Sequence, residues 1–367
     1  MSPQLEVQLI AVIIAAACTL PGVFLVLRRM AMLSDAISHT VLLGIVLAYL
    51  ISGNLSSPLL FAGAVAMGVL TVWLVELMSG SRLMHEDAAI GLVFPALFSL
   101  AVLLISRFAG NVHLDTDSVL LGELAFAPFD RIDLFGLSLP RALVVGSGTL
   151  MLNLILLVLF YKELKLATFD PALATTLGFA PALIHYGLMT SVALTAVTAF
   201  DAVGSILVIA LMVAPPATAY LLTDRLPRMI LLSVAIGIAS ALSGYWLARW
   251  FDVSIAGTMA TMTGIAFLLT FLFAPRRGIV AQIRQQQINR ERFALQMLTL
   301  HLLNHEGTRD ANVECHPRHL IEELHWPAAF AGAIVRQAEQ HGLVQRRGDM
   351  LVLTEQGRLF AAEASVR

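Results

Sequence analysis

The chain opens on VQLIAVIIAAACTLPGVFLVL, residues 7–27, a run of 21 residues without Asp, Glu, Lys or Arg. A helix needs about 20 mostly apolar residues to cross a bilayer, and this run suffices. The residues before it, MSPQLE, lack the basic segment of a cleaved signal peptide, so the run is expected to stay as a membrane helix. Eight comparable runs follow, at 36–52, 58–79, 88–106, 134–160, 181–199, 203–222, 229–250 and 257–274. They predict an all-α polytopic membrane protein with about eight to nine transmembrane helices, eight if the pair around Asp201 is one broken segment. Helices are expected because an unsatisfied backbone group in lipid costs several kcal/mol.

Composition points the same way. Apolar residues make up 58% of the 367 and charged ones 13%, against about 25% charged in a soluble domain. A net charge of −2 excludes a basic nucleic-acid binder, and two cysteines without a CxxC pair exclude a disulfide scaffold or zinc knuckle. The charge is unevenly placed. Of 23 Lys and Arg, 12 follow Ala274, and of 25 Asp and Glu, 10 do. The expected division is a transmembrane domain over 1–275 and a soluble domain over 276–367.

Basic residues near span ends set the orientation. Arg28, Arg29, Arg82, Lys162, Lys165, Arg225, Arg228, Arg276 and Arg277 fall on one side, which predicts the cytoplasmic face. Arg107, Arg131, Arg141 and Arg249 fall on the other. With nine spans, the N-terminus lies outside and the soluble domain in the cytoplasm. No GxxxxGK[ST] occurs, and the two lysines do not follow glycine, so this chain cannot itself be a P-loop ATPase. HExxH, GxSxG and SxxK are also missing, which leaves a hydrolase without motif support.

Ionisable groups within spans are costly and are functional candidates by default. LSDAISHTVLLG, residues 33–44, places Asp35 and His39 four apart, on one helical face. Carboxylate oxygen with imidazole nitrogen suits Zn²⁺, Mn²⁺ or Fe²⁺. The structural alternative is that Asp35 caps the helix and His39 bonds a neighbouring helix. Asp201 is either a pathway residue or a turn marker, and His185 an interfacial anchor. Glu76 and Arg249 read as snorkelling side chains, the loop with His113, Asp115 and Asp117 as a solvated acidic segment, and Cys18 as a small buried hydrophobe.

A second informative segment is YKELKLATFDPALATTLGF, residues 161–179. Asp170-Pro171 reads as an N-cap with a first-turn proline, and Leu177-Gly178 as a helix end. The short helix is either a docking lever for a soluble partner or an interfacial connector.

These two segments, with FDAVGSILVIALMVAPPATA at 200–219, resemble the integral-membrane permeases of ABC-type manganese, zinc and iron importers. DAAIGLVF at 87–94, SVLLGE at 118–123 and LFAPRRG at 272–278 support the resemblance, spread through most of the membrane domain. It implies alternating access in the bacterial cytoplasmic (inner) membrane. The implied partners are two cytoplasmic ATP-binding subunits, an extracytoplasmic metal-binding protein and a second permease subunit, identical or paralogous. Asp35 and His39 become metal contacts on the translocation path. The loop bearing Thr168, Phe169, Asp170, Pro171, Leu177 and Gly178 becomes the coupling helix that docks on the ATPase. No permanently bound cofactor is implied, since the divalent metal is cargo.

The soluble tail departs from many members of that family. It reads as helices up to Asn304, over 319–325 and over 328–341, then a hairpin in GLVQRRGDMLVLTEQG, residues 342–357. That order is winged-helix-like and resembles the amino-terminal half of metal-dependent repressors. Its third helix carries only Arg336 as a positive charge, which argues against nucleic acid as a partner and for a regulatory or protein contact. Cys315, His316 and His319 are weaker metal candidates. The competing readings of the whole chain are a gradient-driven secondary cation transporter and a membrane-anchored metal-responsive regulator.

Overall fold

The computed structural model describes residues 2–54, 57–80, 84–108, 124–134, 137–307, 315–316, 319 and 324–365. Arg82, the segment with His113, Asp115 and Asp117, the SVLLGE motif and most of the 319–325 helix lie outside the described residues. The chain forms two compact units, residues 1–278 and 279–367.

The first unit contains, among the described residues, nine helices long and apolar enough to cross a membrane. They are α1 (Pro3–Leu27), α2 (Ala31–Ser52), α3 (Pro58–Gly80), α4 (Glu86–Phe108), α5 (Arg141–Leu159), α8 (Pro181–Val203), α9 (Ser205–Leu222), α10 (Leu226–Phe251) and α11 (Ile255–Phe273). Between α5 and α8 lie α6 (Tyr161–Phe169) and α7 (Pro171–Thr176). A short antiparallel hairpin, β1 (Arg131–Leu134) with β2 (Leu137–Pro140), precedes α5.

One sequence expectation changes, and the choice between eight and nine spans is decided, among the described residues, for nine. The fifth apolar run does not become helical until Arg141, because its start is taken up by β1 and β2 and Pro140 fits an N-cap better than a helix interior. The pair around Asp201 is two helices, parted at Gly204. There φ is 78° and ψ 165°, a backbone conformation that only glycine adopts without strain.

Helix α1 is the hub and packs against α5, α8, α9 and α10. In lipid there is no hydrophobic drive between helices, so close approach between small residues replaces it. Ala11, Ala15, Ala16, Ala17 and Cys18 of α1 are buried. At Gly22 a Cβ would overlap the Met212 carbonyl of α9. Helix α2 packs against α3, α4 and α8. A buried amide joins three helices at mid-depth. Asn153 Nδ2 of α5 donates to the Ala17 carbonyl of α1 and to Thr195 Oγ1 of α8, while Ser191 Oγ donates to Asn153 Oδ1.

The second unit holds α12 (Ile279–His305), α13 (Ala328–Gln340), the antiparallel pair β3 (Val344–Arg347) and β4 (Met350–Leu353), and α14 (Glu355–Ser365). The hairpin turns at Gly348-Asp349, where Gly348 has φ 68°. Leu298, Leu302, Ile334, Ala338, Val344 and Leu351 form its apolar core.

Candidate functional site

Asp35 and His39 sit on the second and third turns of α2, so the alternative of Asp35 as a helix cap falls away. The N-cap is Met30, with no side-chain cap hydrogen bond. His39 Nε2 lies 3.4 Å from Asp35 Oδ1, and the side chains are 24% and 38% exposed. In a helix whose neighbouring Ser34, Ser38 and Thr40 are buried, this is an accessible polar step. The His39 ring packs 5.1 Å from Phe94 and 5.9 Å from Phe98 of α4, which fixes its plane while leaving a nitrogen beside the carboxylate. The pair supplies one hard and one borderline donor from a single turn, and a divalent cation would need further ligands to complete its shell. Among the described residues no group of three or more His, Cys, Asp or Glu is arranged to hold a metal.

Asp201 is not part of this step. It lies in the last turn of α8, exposed, whereas Asp35 lies near the start of α2, and the alternation of spans puts the two at opposite ends of the bundle. In the tail, Cys315 is buried in the apolar core and its carbonyl accepts from Leu351 N at 2.9 Å, while His319 N donates to the His316 carbonyl. These contacts tie the segment to the hairpin and to itself.

The 161–179 segment forms as its cap signals require. Asp170 Oδ1 accepts from Leu173 N at 2.9 Å, Pro171 opens α7, and Gly178 closes it with φ 85°. Ahead of it, α6 is a separate helix whose Lys162 and Lys165 are exposed while Leu164 and Ala167 are buried. The pair presents an apolar surface to the outside: Phe169 is 60% exposed, Leu173 45% and Leu177 60%. Thr168, beside Phe169, is turned inward to the bundle. Its Oγ1 accepts from Arg28 Nε at 3.2 Å.

That contact opens a cluster which sequence reasoning missed. Arg28 Nη1 lies 2.9 Å from His185 Nδ1, His185 Nε2 lies 2.5 Å from Glu76 Oε1, and Tyr186 Oη donates to Glu76 Oε2 at 2.5 Å. Glu76 therefore does not snorkel, and His185 is more than an interfacial anchor. Burial pushes the Arg28 guanidinium down from its ordinary range, against the upward pull of Glu76; it stays cationic nonetheless. The available signal was topological, since alternation of spans puts the end of α1, the end of α3 and the start of α8 on one side.

The opposite end is tied separately. Arg131 of the hairpin pairs with the buried Glu6 at 3.2 Å, and Arg249 Nη1 donates to Gln4 Oε1 at 2.7 Å.

Comparison with known proteins places this arrangement. A family model described as the ABC 3 transport family matches residues 4–274. The chain is 51% identical over 353 residues to the zinc transport system membrane protein TroD of Treponema pallidum (strain Nichols), covering 96% of each chain. It is 48% identical over 283 residues to the manganese transport system membrane protein MntD of Bacillus subtilis (strain 168), covering 77% of this chain and 96% of the relative. Among solved structures, PsaBC from Streptococcus pneumoniae in complex with Fab matches with a TM-score of 0.63 at 27% identity, over 76% of this chain and 94% of that one. The TroD match runs through the tail, whereas the MntD match is of a length with the membrane unit.

Proposed function

This chain belongs to the ABC 3 transport family and is a multi-pass membrane permease subunit; we propose that it carries Mn²⁺, Zn²⁺ or Fe²⁺ inward across the bacterial cytoplasmic membrane. Asp35 and His39 replace part of the hydration shell of the ion, which is costly to strip in a low-dielectric path. The same step on a second permease subunit, identical or paralogous, completes the coordination. An extracytoplasmic metal-binding protein delivers the ion to the end of the bundle that carries Gln4, Glu6 and Asp201.

Energy comes from cytoplasmic ATP-binding subunits, since this chain has no phosphate-binding loop. They dock on α7 and the end of α6, where Phe169, Leu173 and Leu177 are exposed beside the basic span ends expected on the cytoplasmic side. ATP binding there drives alternating access. The 279–367 unit is a cytoplasmic winged-helix-like module. With Arg336 as the single cation on α13, it contacts protein or senses metal rather than binding DNA.

The observation that carries this reading is the Asp35–His39 step on an otherwise apolar span. Asp35→Ala and His39→Ala should each abolish uptake of radioactive Mn²⁺ or Zn²⁺ by intact cells with the protein still present in the membrane. Undiminished uptake would overturn the assignment.

A further inference from the structure

The docking surface and the Asp35–His39 step lie on different helices, and the residues between them form one connected chain. Thr168 lies in the last turn of α6, three residues before the docking helix begins at Pro171. Its hydroxyl is held by Arg28 Nε, and Arg28 lies in the turn that joins α1 to α2. That turn is short and sharply set: Arg29 adopts φ 63°, and Met30 caps α2. Asp35 follows seven residues after Arg28 on the same helix start. The other side of Arg28 meets His185 of α8, and through it Glu76 of α3.

The protonation pattern within this chain follows from the donors available. A guanidinium can only donate, so His185 Nδ1, 2.9 Å from Arg28 Nη1, is the acceptor. The ring proton is then on Nε2, the nitrogen that lies against Glu76 Oε1 in close polar contact, and the second oxygen of Glu76 accepts from Tyr186. His185 is thus a neutral bridge between a cation and an anion that belong to different helices. Its side chain is 14% exposed, so water competes little for these contacts.

We propose that Arg28, His185 and Glu76 are the positioning residues that transmit movement of the docking helix to the α1–α2 turn and so to Asp35 and His39. Force entering at α7 passes from Thr168 to Arg28. Arg28 is braced against α8 and α3 through His185 and Glu76, so it cannot yield by rotating away. The displacement is delivered instead to the first turns of α2. Without the brace, the docking helix would move independently of the metal step. ATP hydrolysis would then proceed without transport.

This inference rests on the docking reading above, and the test separates the two. The full chain is expressed with its ATP-binding and permease partners, purified into lipid vesicles and supplied with the metal-binding protein, in the wild-type form and as His185→Leu, Arg28→Gln and His185→Gln. Three quantities are read: ATP-binding subunit retained per permease, ATP hydrolysis, and uptake of radioactive Mn²⁺. His185→Leu and Arg28→Gln should retain the partner and its hydrolysis while uptake falls by about tenfold or more, the size of a typical coupling between sites. A glutamine at 185 offers a carbonyl to Arg28 and an amide hydrogen to Glu76, so His185→Gln should recover uptake to within about threefold of wild type.

Wild-type uptake in both disrupted variants would overturn the proposal. So would a His185→Gln variant as inactive as His185→Leu, which would assign His185 to metal ligation or proton transfer. If His185→Leu fails to reach the membrane, Arg28→Gln and the recovery by glutamine decide the matter. A wild-type permease that retains no ATP-binding subunit would defeat the docking reading and this inference with it; a retained partner with unaltered variants defeats this inference alone.

Discussion

At the scale of single residues, the positions that matter most combine small size with close approach, or polarity with a forced partner. Gly22 is the sharpest case, because its missing Cβ is what lets α1 meet the α9 backbone at Met212. Overpacking of a tight interior costs about 1–3 kcal/mol. Gly22→Ala should therefore lower the melting temperature of the detergent-solubilised protein, with secondary structure unchanged at low temperature by circular dichroism. The sequence made Asp35 and His39 legible because charge is so scarce around them, and their spacing defined their shared face before any coordinates. It did not disclose Glu76 and His185 as partners. Each was visible as a polar residue near a span end, but which azimuth of α3 faces α8 is a property of packing. No spacing within one helix encodes it.

At the scale of elements, the caps were legible and the interruptions less so. Asp170, Pro171 and Gly178 announce α7 from sequence, and the structure places each in the role its chemistry suits. A helix of six residues has no stability of its own, so the loss of its cap matters more than it would in a long helix. Asp170→Ala removes the hydrogen bond to Leu173 N and about 1 kcal/mol. If α7 docks the ATP-binding subunit, retention of that subunit during affinity purification should fall by about fivefold. The fifth span shows the opposite case. Hydropathy alone extended it back to 134, where the pairing of β1 with β2 up to Pro140 takes precedence. Gly204 is intermediate: a lone glycine between two apolar runs is compatible with a bend or a break, and the observed positive φ identifies the break.

At the scale of the whole molecule, the division into two units follows the change in charge density near Ala274, and each unit has its own core. The second unit also has its own pH response. Glu306 is held below its ordinary range, chiefly by the hydrogen bond from Arg358, which reaches it at 2.6 Å. A carboxyl whose folded value is depressed stabilises the fold above its unfolded value, and that stabilisation is lost as pH falls through the folded value. The pair is exposed to solvent, so its contribution is small and weakened by salt. The protection factors of α14 amides against hydrogen exchange in the full chain, referred to the unfolded-chain rate at each pH, should be steady from neutrality to about pH 5 and fall below about pH 4. Glu306→Gln should blunt that acid-dependent loss of protection. An unaltered profile would show that Glu306 does not contribute.

The lysines have a practical consequence. The chain has just two, Lys162 and Lys165, and both are exposed on α6. Apart from the N-terminal amine, every site for an amine-directed reagent therefore lies on the helix that ends at Phe169. A fluorophore or cross-linker of that chemistry marks this one helix without any engineered cysteine. Protection of those two amines by an added protein would footprint contact at α6 on the unaltered polypeptide.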